Sequence, residues 1–250
     1  MSLIKKRISD KRFLKLIRQW LEPGVIENGE CKPTVKGTPQ GGVISPLLAN
    51  IYLHVLDRYW QLECTHLGML VGYADDFVVM CRHESQAKES LRIIAALLGR
   101  LKLALHPDKT KIIRIAEEGF DFLGFHIRKW KNWKSGKLVP ACYPSKKAMN
   151  NIRKRLRELT SSKRLLVPLE VIVRELNEVI IGWRGYFGVG NGTGHFQKLD
   201  KYVRERLWCF FRRRAGDRAK QRKLCERFIE WVATCGIKPF YVSGIFGCGS

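Results

Sequence analysis

The chain has 250 residues, 45% of them hydrophobic, with 46 Lys and Arg against 23 Asp and Glu, a formal charge of +23. That length and apolar content allow a real core and exclude a disordered tail. The charge points to a polyanion partner, nucleic acid before any other, because so much self-repulsion disfavours a compact chain that nothing offsets. Eight cysteines without a Cys-x-x-Cys pair or a zinc-type His/Cys spacing fit a reduced compartment better than a disulfide framework. No apolar run is long enough for a bilayer and "MSLIKKRISD" has no signal-peptide core, so the expectation is a soluble cytoplasmic or organellar chain.

In chain order, Ile4, Ile8, Phe13, Ile17, Trp20 and Leu21 recur at helical spacing and predict one amphipathic helix or a broken pair. Turn signals in "EPGVIENGE" precede a Gly-rich loop, "VKGTPQGG". Ser45 as cap and Pro46 as first residue predict a helix with a stripe of Ile44, Leu47, Leu48, Ile51 and Val55. Residues 69–81 predict two short strands joined at Ala74–Asp76. Ser85 then caps a helix with Ala87, Leu91, Ile94, Leu98 and Leu101 on one face, and "KIIRI" and "FDFLGFHIRKW" supply three more short strands. The fold class is α+β, an antiparallel sheet covered by helices on one side. The composition shifts in "KNWKSGKLVPACYPS", residues 131–145, and beyond it only helices are predicted. Their stripes are Met149, Ile152, Leu156, Leu159; then Leu169, Ile172, Leu176, Val179, Trp183; then Phe196, Leu199, Val203, Leu207, Phe210; then Leu224, Phe228, Trp231. Residues 140–250 hold 23 of the basic residues but only 9 of the acids, so the helical half is the more basic.

Four short stretches carry chemistry. In "LVGYADDFVVM", Asp75 and Asp76 sit together at a hairpin tip. Paired carboxylates there suit a hard divalent ion that also binds phosphate, although a polar turn explains an isolated pair as well. In "GTPQGG", Gly37, Gly41 and Gly42 let a backbone approach a nucleotide, and Gln40 offers both a donor and an acceptor; a plain turn before a core helix is the even alternative. "GWRGYF" joins aromatics to Arg184, with Tyr186 the more exposed ring and Trp183 a core residue; rings stack on unpaired bases and Arg pairs phosphate. Arg212, Arg213 and Arg214, with Lys220, Arg222 and Lys223, form a phosphate-contact surface or a solvated helix end.

Taken in order, "GTPQGGVISPLLANIYLHVLD", "YADDFVV", "HPDKTKI" and "FDFLGFHI" resemble the reverse-transcriptase motifs of group II intron-encoded proteins, and the half with "GWRGYF" resembles their maturase-specific domain. The resemblance implies a palm over residues 1–137 and a thumb-like, all-helical maturase domain over 138–250. It implies that Asp75 and Asp76 are catalytic carboxylates holding Mg2+, with Asp75 the more direct ligand, and that Lys109 lies near the triphosphate. It places Gly37, Pro39, Gln40 and Gly41 at the template and nucleotide, and Phe122, Leu123 and Gly124 at the primer grip. The implied activity is RNA-directed DNA synthesis coupled to intron splicing and mobility. The implied partners are intron RNA, an RNA template, a DNA primer and dNTPs; oligomeric state stays open.

The family pattern also contains an aspartate on a strand upstream of "GTPQGG". The acids before Gly37 are Asp10, Glu22, Glu27 and Glu30, and none has an apolar strand context. The expectation is therefore an N-terminally truncated copy or an internal start, with one palm strand missing, an open sheet edge and impaired polymerisation. The alternatives are a non-catalytic RNA-binding maturase and an inactive fragment.

Overall fold

The computed structural model describes residues 1–21, 25–27, 30–32, 44–132, 135–215 and 221–241. The chain divides into two compact units, Met1–Ile112 and Ile113–Ser250. Among the described residues no helix is long and apolar enough to cross a membrane.

The first unit opens with the broken pair, α1 (Ser2–Lys5) and α2 (Lys11–Leu21). Asp10 causes the break, since its Oδ1 accepts from the backbone N of Arg12 at 2.7 Å and of Phe13 at 3.3 Å and so starts α2 afresh. Strands β1 (Val25–Glu27) and β2 (Glu30–Lys32) form a two-stranded antiparallel ladder. Helix α3 (Ser45–Tyr59) starts one residue earlier than expected: Ile44 occupies the cap and Ser45 is already helical, with Pro46 in the first turn. Its buried seam also differs. Leu47 is exposed, and Leu56, Trp60 and Cys64 carry the inward face at four-residue spacing, the last two in a π-helical turn, Trp60–Cys64. The Trp60 indole N–H donates to the Gly68 carbonyl at 3.0 Å and fixes the entry to the next strand.

Strands β3 (Met69–Tyr73) and β4 (Asp76–Met80) pair antiparallel, with Leu70 opposite Val79, Gly72 opposite Phe77 and Tyr73 opposite Asp76. Leu70, Phe77 and Val79 share one face and pack on Leu56, Trp60, Ile94 and Leu98. Met69, Val71, Tyr73 and Met80 are exposed, so this hairpin is covered on one side only. Helix α4 (Glu84–Arg100) keeps its predicted stripe, but His83 is the cap rather than Ser85. The Gln86 Oε1 decides that start by accepting from the amides of Arg82 and His83, both at 3.1 Å.

Residues 111–115 ("KIIRI"), where the first unit gives way to the second in sequence, form no strand, contrary to expectation. A strand needs a ladder, and this run has one bridging bond, the Lys129 N–H to the Ile115 carbonyl at 3.0 Å. Strands β5 (Phe120–Phe122), β6 (Phe125–Lys131) and β7 (Leu138–Pro144) make a three-stranded antiparallel sheet in that order. β7 falls in the stretch where the composition shifts and carries two prolines. It tolerates them because the N–H and C=O of Cys142 turn away from β6, toward Asn191, and Pro140 and Pro144 share that outward parity.

Four helices complete this unit: α5 (Lys146–Leu159), α6 (Leu169–Phe187), α7 (Thr193–Ala215) and α8 (Gln221–Thr234). The Ser145 Oγ caps α5 by accepting from the Ala148 amide at 3.2 Å. The predicted stripes of α5 and α7 are buried at every position and meet Ile172, Leu176 and Ile180 of α6 in one core. Residues 236–241 return across these helices. Asn177 binds the Gly236 carbonyl at 3.0 Å and the Lys238 amide at 2.7 Å. Asp200 accepts from the amides of Phe240 and Tyr241 at 2.7 and 3.0 Å and seats the fully buried Phe240.

Candidate functional site

The β3–β4 turn is a two-residue link, Ala74–Asp75, because Tyr73 still pairs with Asp76. Ala74 sits at φ +53°, a region that hairpin turns usually reserve for Gly or Asn. Holding an alanine there costs about 1 kcal/mol. Asp76 is the first residue of β4, opposite Tyr73 on the uncovered face, and Asp75 caps the tip; both are exposed. The fold therefore presents two adjacent carboxylates on a short hairpin whose other face is anchored in the core. Among the described residues, no group of three His, Cys, Asp or Glu side chains comes together.

Lys109 belongs to the same unit and is exposed in the turn after α4, where its amide donates to the His106 carbonyl at 3.3 Å. Gly37, Pro39, Gln40 and Gly41 lie outside the described residues.

Phe122, Leu123 and Gly124 fall in the second unit, at the β5–β6 hairpin. Phe122 pairs with Phe125, so Leu123 and Gly124 alone make the turn, at φ +50° and +80°. Glycine suits the second position, where a Cβ would also stand 3.3 Å from the Phe187 ring. Leucine at the first does not, and its neighbours compensate. The Tyr186 hydroxyl donates to the Leu123 carbonyl at 2.9 Å, and the Ser145 amide donates to the Gly124 carbonyl at 2.8 Å. The Phe125 ring packs against both Tyr186 and Phe187, with centroids at 5.6 and 4.9 Å, and those two rings are 4.7 Å apart. Helix α6 thus holds the turn through the end of "GWRGYF".

The same motif looks different once its partners are visible. Trp183 packs on Phe187, Phe196 and Phe240 as a core residue. Arg184 is half-buried and donates to the Pro239 carbonyl at 3.0 Å, and Tyr186 has committed its hydroxyl to Leu123 while its ring stays 53% exposed. Of the arginine triplet at the end of α7, Arg212 and Arg213 are exposed, and Arg214 donates to the Val167 carbonyl. Of the glycines after the motif, Gly190 and Gly192 leave no room for a side chain; at Gly192 a Cβ would stand 2.5 Å from the Phe196 ring. Gly190 has φ +92°, and a Cβ there would stand 2.5 Å from the Cys142 carbonyl oxygen. Asn177, Asn191 and Asp200, which tie remote segments together, carry no local pattern that would single them out in the sequence.

A hairpin presenting paired carboxylates, followed by a basic helical unit, is the layout of a nucleic-acid enzyme of the polymerase type. Residues 3–127, half of the chain, match the family described as reverse transcriptase (RNA-dependent DNA polymerase), and residues 149–228 match the group II intron maturase-specific domain. The chain belongs to the reverse transcriptases, and within them to the group II intron kind that carries a maturase domain. It is 32% identical to Protein YkfC of Escherichia coli (strain K12), over 60% of this chain and 48% of that protein. It is 27% identical to the group II intron-encoded protein LtrA of Lactococcus lactis subsp. cremoris, over 69% of this chain and 37% of that one. To an uncharacterized 91 kDa protein in cob intron of Schizosaccharomyces pombe it is again 27% identical, over 78% of this chain and 33% of that one. The chain thus spans about half or less of the length of these curated relatives.

Proposed function

We propose that this chain serves a group II intron as the palm and thumb portion of its RNA-directed DNA polymerase and maturase. The observation that carries the reading is the order of two family matches along one chain, reverse transcriptase and then maturase domain. In this reading residues 1–137 are palm and 138–250 the thumb-like maturase part, which binds intron RNA and the template–primer through its basic helices. Lys109 lies near the triphosphate, Gly37, Pro39, Gln40 and Gly41 meet template and nucleotide, and the Phe122–Gly124 turn supports the primer. Arg184, Tyr186 and Arg212 to Arg214 contribute to the RNA surface, the exposed Arg212 and Arg213 most directly.

The family uses divalent metal, and Asp75 and Asp76 are the residues that would hold Mg2+. Their donor chemistry fits, because magnesium takes carboxylate oxygens and completes its shell with phosphate and water. When bound, the ion would neutralise charge developing on phosphate oxygens. The protein's own part is to fix the two carboxylates on a short, one-side-anchored hairpin. Two carboxylates are few for a two-ion site, and no third acid joins them among the described residues. That observation favours a second reading, a maturase that binds RNA without polymerising.

The test is RNA binding and primer extension by the purified chain, with Asp75→Ala beside it. Salt-sensitive binding of structured RNA that survives Asp75→Ala, well above that of an unrelated basic protein, supports the RNA-binding function. Extension on an RNA template that vanishes in Asp75→Ala supports the polymerase reading. Its absence in the unaltered chain selects the non-catalytic one, and RNA affinity no better than the basic control overturns both.

A further inference from the structure

One cluster of protonatable and cationic side chains in the second unit is not used by the reading above. His195 stands in the first turn of α7, and its ring stacks on Tyr143 of β7, with centroids at 4.9 Å and planes 13° apart. Behind Tyr143 lies His126 of β6, at 5.3 Å, whose Nδ1 is 2.7 Å from the Asp121 carboxylate of β5. Lys198 follows His195 by three residues and so shares its side of the helix. Arg153 lies on α5, which packs against α7, and its side chain is partly buried.

Burial first, then Lys198 and Arg153, hold the His195 imidazole below its usual range, so it is neutral in the free protein near pH 7. Among the described residues neither Arg153 nor Lys198 has an ion-pair partner. The Asp121 carboxylate at the far end of this column is engaged by His126. Two cations beside a half-buried imidazole repel each other, and an anion seated between them would turn that repulsion into attraction. Stacking occupies a face of the imidazole and leaves its nitrogens free for in-plane bonds. Imidazolium, guanidinium and ammonium are all donors, the complement of phosphate oxygens, which only accept.

We propose that Arg153, His195 and Lys198 form a phosphate-binding site for the nucleic-acid backbone, and that His195 takes up a proton when the phosphate binds. The proposal rests on the reading that this unit binds nucleic acid. It adds a position and a pH dependence to that reading. Affinity rises as pH falls through the ordinary imidazole range, by at most about tenfold per pH unit, the limit for one proton. His126 is a second imidazole in the same column, so the comparison is made against a change at His195 alone.

The experiment measures affinity of the full chain for a fluorescein-labelled RNA hairpin from about pH 5.5 to about pH 8 at fixed ionic strength. Unaltered protein, His195→Gln and Arg153→Gln are compared, and the His195 ring signal is followed by NMR with the RNA and, separately, with inorganic phosphate. The expected result is a steeper gain on acidification in the unaltered chain than in His195→Gln, and an upward move of the His195 titration on adding RNA. Arg153→Gln weakens RNA binding severalfold and raises the His195 titration in the free protein. A purely structural His195 would change stability and leave the pH slope alone. Equal slopes in the unaltered chain and His195→Gln overturn the proposal while RNA binding stands. A His195 shift with inorganic phosphate but none with RNA marks a small-anion site and overturns the nucleic-acid assignment. Failure of the unaltered chain to bind RNA at any pH overturns the underlying reading and the proposal with it.

Discussion

Replacing Tyr186 by phenylalanine removes one oxygen and leaves the ring in place. What is lost is the bond from its hydroxyl to the Leu123 carbonyl, 2.9 Å long and joining residues 63 positions apart. A neutral hydrogen bond contributes about 1 kcal/mol net, and this one is at the low end because the ring is half-exposed, so Tyr186→Phe costs about 0.5 kcal/mol. Tyr186→Ala also removes the contacts with Phe125 and Phe187, at about 0.5–1.5 kcal/mol for each aromatic pair, for a total of about 1.5–3.5 kcal/mol. The hydroxyl's role is local. It steadies a turn that places a leucine at φ +50°, where an L-residue costs about 1–2 kcal/mol. Hydrogen exchange at residues 123–125 should therefore accelerate in Tyr186→Phe while exchange in α7 stays unchanged. Urea unfolding of the full chain supplies the global energies. Leu123→Gly relieves the strain, so in that background the same Tyr186→Phe change should affect turn exchange less. Equal acceleration in both backgrounds, or none in either, would refute the idea that Tyr186 holds a strained turn.

Gly190→Ala meets both a positive φ and a backbone oxygen at 2.5 Å, so the loop must shift; thermal unfolding should show a loss of about 2 kcal/mol or more, and an unchanged midpoint would contradict the packing. Asp200→Ala frees the amides of Phe240 and Tyr241 and should cost about 1.5–3 kcal/mol, with limited proteolysis cutting near residue 240 first. The Arg164 guanidinium grips Glu175 with bonds of 2.6 and 2.8 Å and holds that carboxyl below its ordinary value of 4.5. The sign follows: the contribution is present above about pH 4.5 and is lost as pH falls through the lowered folded value. Both side chains are a quarter to a third exposed, so solvent screening keeps the effect small; acid titration of stability should be shallower in Glu175→Gln, and identical curves would count against the pair.

The helical core was legible because its signal is periodic and local. Met149, Ile152, Leu156 and Leu159, and then Phe196, Leu199, Val203, Leu207 and Phe210, are all buried where their spacing puts them. Helix starts were less legible, because a cap depends on which side chain reaches which amide. Ser85 has the right chemistry, yet Gln86 reaches the two amides and puts the cap at His83. The strand at Leu138–Pro144 was missed because Pro140 and Pro144 read as breakers, and only the pairing with β6 shows that their missing N–H groups point outward. At the candidate site, "YADD" revealed the hairpin and its carboxylates, and the backbone adds that Asp76 faces the uncovered side. The tie from Tyr186 to Leu123 was beyond reach, since nothing local in either segment points to the other.

That tie changes how "GWRGYF" is understood. Aromatic and arginine residues in a basic domain suggest bases and phosphates, yet two polar side chains here meet protein partners: Arg184 the Pro239 carbonyl, Tyr186 the Leu123 carbonyl. Trp183 and Phe187 serve the core. A side chain can bridge a strained turn and a distant helix, or present the same donor fully to an RNA, but one hydroxyl hydrogen cannot do both. Within the protein, the motif couples the β5–β6 turn to α6, and the exposed ring face of Tyr186 and the remaining N–H groups of Arg184 are what it can still offer a partner. Among the described residues, exposed cations with no ion-pair partner include Lys146, Lys147 and Lys154 of α5 and Lys198, Lys201, Arg204, Arg212 and Arg213 of α7. Charge-neutralising changes on those two helices should reduce the salt dependence of RNA binding with each cation removed, whereas Tyr186→Phe should leave that slope unchanged.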